Sequence, residues 1–347
     1  MRNLRKLAFP LAAVALAAAA CSSSGTPAST APKDPVKLTI SISNVTNQTY
    51  LAVVLAQQLG YFKQQGVDLT IQNVTTGSQN FTEMLAGQVQ GVVGIYDHTI
   101  DLQAKGQSVE SVMTLNQAPG FAILVRSDEA SSITSAAQLA GKNVGITGTG
   151  SSTQFVLNGV VQHAGGNAST IKPVNVAAGA TFISAVQNDE VDAGITSEPT
   201  ISALLNKHAA NILVDLRTTA GTEAALGGPY VGTSLIFPTA YVKAHATTVQ
   251  EMVNALHESL KYIQTHSASN IVSHMPAADY AATGETAYTQ ALANEIGIFS
   301  PTGLMVQDGP QSVERILSTF DTSVKGKTIN LSLTYTNTFV QNVPSGD

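Results

Sequence analysis

The feature that most constrains this 347-residue chain is an alternation of short strand-like runs with longer helix-like ones, and the pattern occurs twice. "VKLTISIS" (36–43) reads as a strand, "TYLAVVLAQQLGYF" (49–62) as a helix, and "VDLTIQNV" (67–74) alternates Val67, Leu69 and Ile71 in strand fashion. A helix around 80–87, a strand at 91–96, a helix at 98–106 and strands near 109–115 and 120–126 continue the series. "KNVGIT" (142–147) opens a second one, with strands near 173–176, 191–195 and 211–215. Such alternation predicts an α/β chain with open, mainly parallel sheets, whose ligands sit beyond the carboxyl ends of the strands. About 312 residues follow Pro35, too many for one core, so two lobes are expected. In "TVQEMVNALHESLKYIQ" (248–264), Val249, Met252, Val253, Leu256, Leu260 and Ile263 share one face. That makes His257 a surface or half-buried helix residue, not a ligand.

The first 35 residues read as address and tether. Arg2, Arg5 and Lys6 precede the uncharged "LAFPLAAVALAAAA" (7–20), the order of a secretory signal peptide and too short for a membrane span of about 20 residues. The stretch ends at Cys21, the only cysteine, and resembles a bacterial lipoprotein signal in which that cysteine is lipidated. It departs from that pattern in having Ala18 where leucine is usual, with Leu16 two places earlier. We therefore expect a signal at 1–20 and a lipidated, flexible tether at 21–35, anchoring the protein outside the cytoplasm; ordinary signal cleavage is the alternative. One cysteine excludes an intrachain disulfide and any multi-cysteine metal site.

Removing the signal takes away three positive charges and shifts the net charge from -6 to -9. With no basic run after the tether, nucleic acid is not expected as a partner. Nothing calls for a cofactor or metal: the seven histidines are scattered, and neither GxSxG nor HExxH is present. The loop "GITGTGSST" (145–153) offers Gly148 and Gly150 but Thr153 where a dinucleotide fingerprint needs a third glycine, and no P-loop lysine. It reads instead as a strand, a glycine turn and a helix start, whose N–H groups and hydroxyls suit a polar or anionic group. Gly150, Ser151, Ser152 and Thr153 are candidate contacts, with helix capping by Ser152 or Thr153 as the plainer role.

The other strand-to-helix loops supply the remaining candidates: Asn44, Thr46, Asn47 and Gln48; Gly77 and Ser78; Tyr96, Asp97 and His98; Glu198; and Tyr230. Turn formation, or capping by Asn47, Thr49 or Asp97, competes with ligand contact. His98 is as readily a surface turn residue as one that tunes binding with pH. Asp97 and Glu198 at the mouth of a cleft, with Tyr96 and Tyr230 nearby, would suit a neutral or cationic heterocycle or amine. A sulfonate held by helix N-termini is the alternative, because backbone dipoles need no arginine.

"LAQQLGYFKQQGVDLTI" (55–71) resembles the opening of the substrate-binding proteins of ABC importers for sulfonates, nitrate, taurine and thiamine precursors. "LAGQVQGVVG", "AKGQSVESV", "AAQLAGKNVGITGTGSSTQFVLNGVVQHAG", "AVQNDEVDAGITSEP" and "YTNTFV" resemble later landmarks in the same order. The resemblance implies a type II periplasmic-binding-protein fold with a ligand cleft between two lobes. Lobe one is expected over 36–126, lobe two over 127–232 and a return to lobe one over 233–347, with crossings near 124–130 and 230–237. It further implies a monomeric, non-enzymatic solute receptor that delivers a small molecule, such as a pyrimidine thiamine precursor or a sulfonate or nitrate-type anion, to an ABC permease and its ATPase. A sensory lipoprotein of the same fold is the rival. A relative of the family is a biosynthetic enzyme acting on a pyrimidine, which the export signal here opposes. Gln90 stands where many members carry an acidic residue, whereas Asp192 keeps it, a change expected to bear on stability.

Overall fold

The computed structural model describes residues 34–344. The expected signal, Cys21 and nearly all of the tether lie outside them. Among the described residues no helix is long and apolar enough to cross a membrane.

Among the described residues, ten strands form two five-stranded sheets of matching design. In the first, β1 (Val36–Ser43) pairs in parallel with β2 (Val67–Val74) from Val36↔Val67 to Ser43↔Val74, and with β3 (Gly91–Ile95) on its other side. In the second, β6 (Asn143–Ile146) is flanked in parallel by β7 (Lys172–Asn175) and β8 (Ala193–Ser197). Each sheet is then completed by an antiparallel strand arriving from the other lobe. β5 (Phe121–Arg126) leaves β4 (Val109–Thr114) and inserts between β8 and β9 (Ala210–Leu216); β10 (Thr233–Pro238) returns to lie between β3 and β4. The orders are β2-β1-β3-β10-β4 and β7-β6-β8-β5-β9.

This topology moves the first crossing from the expected 124–130 to the segment before β5, since residues 121–126 already belong to the second sheet. The second crossing precedes β10 and so ends a little earlier than expected. Apolar runs alone do not tell which sheet a buried strand will join, because the inner strands β3, β8, β5 and β10 are buried on both faces alike. The C-terminal region departs similarly from a simple return to lobe one. Val313, Ile316 and Leu317 join the second lobe's core together with Tyr96 and Ile100.

The helix predicted over 248–264 spans Ala246–Thr265, with all six of its face residues at most 1% exposed and packed on the first core. The run 49–62 is broken: a short 3-10 turn leads into helix Leu51–Gln58, and a second piece follows Gly60, whose φ of 74° suits a glycine stop. Gln90 and Asp192 perform the same task in the two lobes. Gln90 Oε1 accepts from the Thr39 N–H at 2.8 Å, and Asp192 Oδ2 from the Asn143 N–H at 2.9 Å, so the amide replaces the carboxylate as an acceptor.

Candidate functional site

The carboxyl ends of β1, β2, β3, β6 and β8 meet across a cleft. Ser43, Asn47, Thr49 and Tyr50 line it from the loop after β1; Gly77, Gly94, Ile95 and His98 add the rest of the first lobe's wall. Thr147, Ser151, Ser152, Thr153 and Ser197 line it from the second lobe, and Phe121 stands just past the crossing. None of these residues is Asp, Glu, Lys or Arg. The cleft's polarity therefore comes from hydroxyls, the Asn47 carboxamide, one imidazole and the backbone.

That backbone is rich in free donors. Helices Gly77–Leu85 and Ser152–His163 begin at the cleft, and their first N–H groups have no intrahelical acceptor by construction. Among the described residues, the N–H groups of Thr49, Gly77, Ser78, Ser152 and Thr153 donate to no protein acceptor. Oriented helix starts of this kind favour negative charge by about 0.3–1 kcal/mol each at exposed sites and more when partly buried.

The two acids expected at the mouth are committed elsewhere. Asp97 is fully buried and accepts from the Ser152 hydroxyl at 2.7 Å and the Tyr230 hydroxyl at 2.8 Å. Burial pushes its carboxyl upward, opposed by His98 and these two hydroxyls. Glu198 is also fully buried; it accepts from Arg217 Nη1 at 2.7 Å, the Ser202 N–H at 2.9 Å and the Ser202 hydroxyl at 3.0 Å. Arg217 spends its remaining donors on Asp215. Neither acid lines the cleft, which corrects the expectation of a carboxylate-lined mouth.

Tyr96 and Tyr230 are likewise buried in the second core, away from the cleft lining. The Tyr96 hydroxyl bonds Thr334 and that of Tyr230 donates to Asp97. Burial raises both phenols.

His98 departs from a surface turn in the other direction. It is 3% exposed, faces the cleft, packs on Phe81 at 4.3 Å and Phe155 at 5.5 Å between ring centres, and leaves Nε2 without a partner among the described residues. Burial holds its imidazole below the usual range despite Asp97 Oδ1 at 4.0 Å. A neutral ring, with no side-chain hydrogen bond to the described residues, can donate to or accept from a ligand.

Of the remaining candidates, Asn47, Gly77, Ser151, Ser152 and Thr153 line the cleft, while Asn44, Thr46, Gln48, Ser78 and Gly150 stand outside its lining. Gln48 donates through Nε2 to the Tyr288 carbonyl at 2.8 Å, and Ser78 donates across the lobes to the Thr149 carbonyl at 3.2 Å. Asn44, at φ 60°, bonds Asn47 and Thr46 in a local turn. The hydroxyls expected to cap helix Ser152–His163 do not: Ser151 is the N-cap and makes no side-chain cap bond, Ser152 donates to Asp97, and Thr153 accepts from the Thr147 N–H at 3.1 Å. Ser43, Thr49, Tyr50, Gly94, Ile95, Phe121, Thr147 and Ser197 line the cleft without being among the sequence candidates. Ser43 and Ser197 end β1 and β8, Thr147 follows β6, Phe121 begins β5, and Tyr50, bonded to Ser43 at 2.6 Å, reads in sequence as ordinary helix core.

Comparison with known proteins agrees with this architecture. A protein of known structure from Bordetella bronchiseptica RB50 superposes with a TM-score of 0.83 at 28% identity, covering 89% of this chain and 97% of that one. The alkanesulfonate-binding protein of Xanthomonas axonopodis pv. citri, solved with MOPS, gives 0.71 at 19% identity over 88% and 99%. The periplasmic nitrate-binding protein of Synechocystis PCC 6803 gives 0.69 at 9% identity over 89% and 88%. These likenesses establish the two-lobed periplasmic-binding-protein fold. Among curated proteins, the 4-amino-5-hydroxymethyl-2-methylpyrimidine phosphate synthase of Legionella pneumophila is 28% identical over 160 residues, 46% of this chain and 48% of that protein. A Saccharomyces cerevisiae synthase of the same description is 30% identical over 167 residues, 47% and 46% respectively. The chain spans about half the length of the curated relatives it matches. A family model described as "NMT1/THI5 like" matches residues 47–269, well over half of the chain, and the chain belongs to that family.

Proposed function

We propose that this protein is an extracytoplasmic, monomeric solute receptor that closes its lobes on a small oxyanion-bearing molecule of the organic sulfonate type and presents it to an ABC permease and its ATPase. The observation that carries the ligand class is the uncharged cleft with free N–H groups at two helix starts. An ammonium-bearing ligand would find no carboxylate there, since Asp97 and Glu198 are saturated by protein partners. Transport is favoured over catalysis because Asp97 and Glu198, the acids that could serve as proton-transfer partners, stand outside the cleft lining and are held by protein hydrogen bonds. The tether and a lipid on Cys21 would hold the receptor at the membrane, near its permease.

The aromatic wall formed by Phe121, Tyr50 and His98 supports a second reading, a neutral amino-pyrimidine stacked in the cleft, in keeping with the names of the curated relatives. A thermal-shift series on the full chain with methanesulfonate, nitrate, a 4-amino-pyrimidine and a polyamine separates the readings. A ligand that binds only the folded state must raise the melting temperature. A rise with methanesulfonate supports the anion receptor, a rise with the pyrimidine alone favours the second reading, and a rise with the polyamine alone overturns both.

A further inference from the structure

Glu295 is a buried carboxyl with no partner. It ends helix Glu285–Glu295, is 0% exposed, and neither of its oxygens has a hydrogen bond among the described residues. Its helix sits in the first core through Tyr288 and Leu292, yet touches helix Thr200–Asn206 of the second lobe. The charged groups that face it, Glu198, Arg217 and Asp215, all belong to that second lobe. Tyr288 is its titratable neighbour on its own helix. From the crossing, a Cβ placed on Gly120 would lie 3.7 Å from Glu295 Oε2. Arg217 is already shared between Glu198 and Asp215, so an ionised Glu295 would add a third carboxylate to one guanidinium, out of reach of water.

We propose that closure of the two lobes takes up one proton, carried by Glu295. Opening would separate Glu295 from the second lobe and admit water, where a glutamate ionises at about pH 4.3; in the closed form burial, with Glu198 adding to it, pushes the carboxyl far above that range. Because the closed-form value is the raised one, closure is fully favoured at low pH. It weakens about tenfold per pH unit as pH climbs from the open-form value towards the closed-form one. The proposal rests on the reading of the molecule as a closing receptor, though not on which ligand it takes.

The test is a lobe-to-lobe distance measured by energy transfer between dyes at Lys63→Cys and Lys172→Cys, in the full chain with Cys21→Ser. It is run from pH 5 to 8.5 with and without saturating methanesulfonate, for the native Glu295 and for Glu295→Gln and Glu295→Leu. The expected result is a closed-to-open ratio that falls with pH in the native protein and stays flat in both variants. A flat native profile, or the same slope in the variants, overturns the proposal; a slope that persists points to Asp97 or His98, which all three proteins keep. A distance that answers neither pH nor methanesulfonate, while methanesulfonate raises the melting temperature, sinks this coupling and leaves the ligand class standing. Silence in both measurements sinks this coupling and the sulfonate ligand together.

Discussion

The Ser152 hydroxyl donates to Asp97 Oδ1 at 2.7 Å, tying the start of a second-lobe helix to the start of a first-lobe helix 55 positions earlier in the chain. With the Tyr230 hydroxyl on Oδ2, the carboxyl bridges both lobes and the segment leading into β10. Asp97→Ala would strand two buried hydroxyls, each costing about 1–3 kcal/mol. A loss of about 2–4 kcal/mol in urea unfolding is expected, and less for Asp97→Asn, which keeps one acceptor. Equal and negligible losses would show that the bridge contributes nothing.

Gly77 is the first residue of its helix, and Thr76 before it is extended at φ -133°, ψ 154°. Both conditions suit proline at position 77, which removes the N–H and places a Cβ 3.7 Å from His98 Nε2, an ordinary van der Waals contact. Gly77→Pro should leave the melting temperature near native and weaken methanesulfonate at least tenfold, about 1.4 kcal/mol. Calorimetric titration with unchanged affinity would remove this N–H from the site.

Gly148 and Thr76 approach across the cleft: a Cβ on Gly148 would lie 2.7 Å from Thr76 Cγ2. Gly148→Ala should hinder full closure and weaken methanesulfonate by about tenfold without unfolding either lobe. Thr76→Ser deletes the offending methyl and keeps the capping hydroxyl, so adding it should restore most of the affinity. A double-mutant cycle with no coupling would mean that closure stops short of this contact.

Glu198 serves the second lobe and not the ligand. Glu198→Gln should leave methanesulfonate affinity unchanged, in contrast to what a cleft-facing carboxylate would do. Arg217→Met should cost about 3–5 kcal/mol by leaving Glu198 buried and unpaired. Binding titrations and denaturant melts on the two variants distinguish these roles.

Asp279 is 6% exposed with Oδ2 unpartnered, and burial pushes its carboxyl up to about 6. A raised carboxyl stabilises the fold below its unfolded value of about 3.9 and loses that contribution as pH rises through about 6. Asp279→Asn should therefore raise the melting temperature at pH 7.5, by about 2–4 °C, and change it little at pH 4. An equal effect at both pH values would mean that the charge is not the cause.

Strand and helix order, the glycine turn at 147–150 and the buried face of helix Ala246–Thr265 were legible in the chain because each depends on neighbours a few positions away. The candidate loops were legible for the same reason: they close the carboxyl ends of parallel strands, wherever those strands lie. Which of their side chains reach a ligand depended on distant partners. Asp97 is claimed by Tyr230, 133 positions on, and Glu198 by Arg217, 19 positions on. In sequence both look like free acids.

By itself, then, the sequence determined a two-lobed α/β molecule with polar loops turned to one cleft, since periodicity and turn chemistry are local. Only the tertiary structure decided that β5 completes the far sheet, that the cleft is uncharged and that Glu295 lies unpartnered between the lobes. Those outcomes follow from burial and from pairing between distant segments, and the cost of an unpaired charge is set by whatever the fold brings beside it.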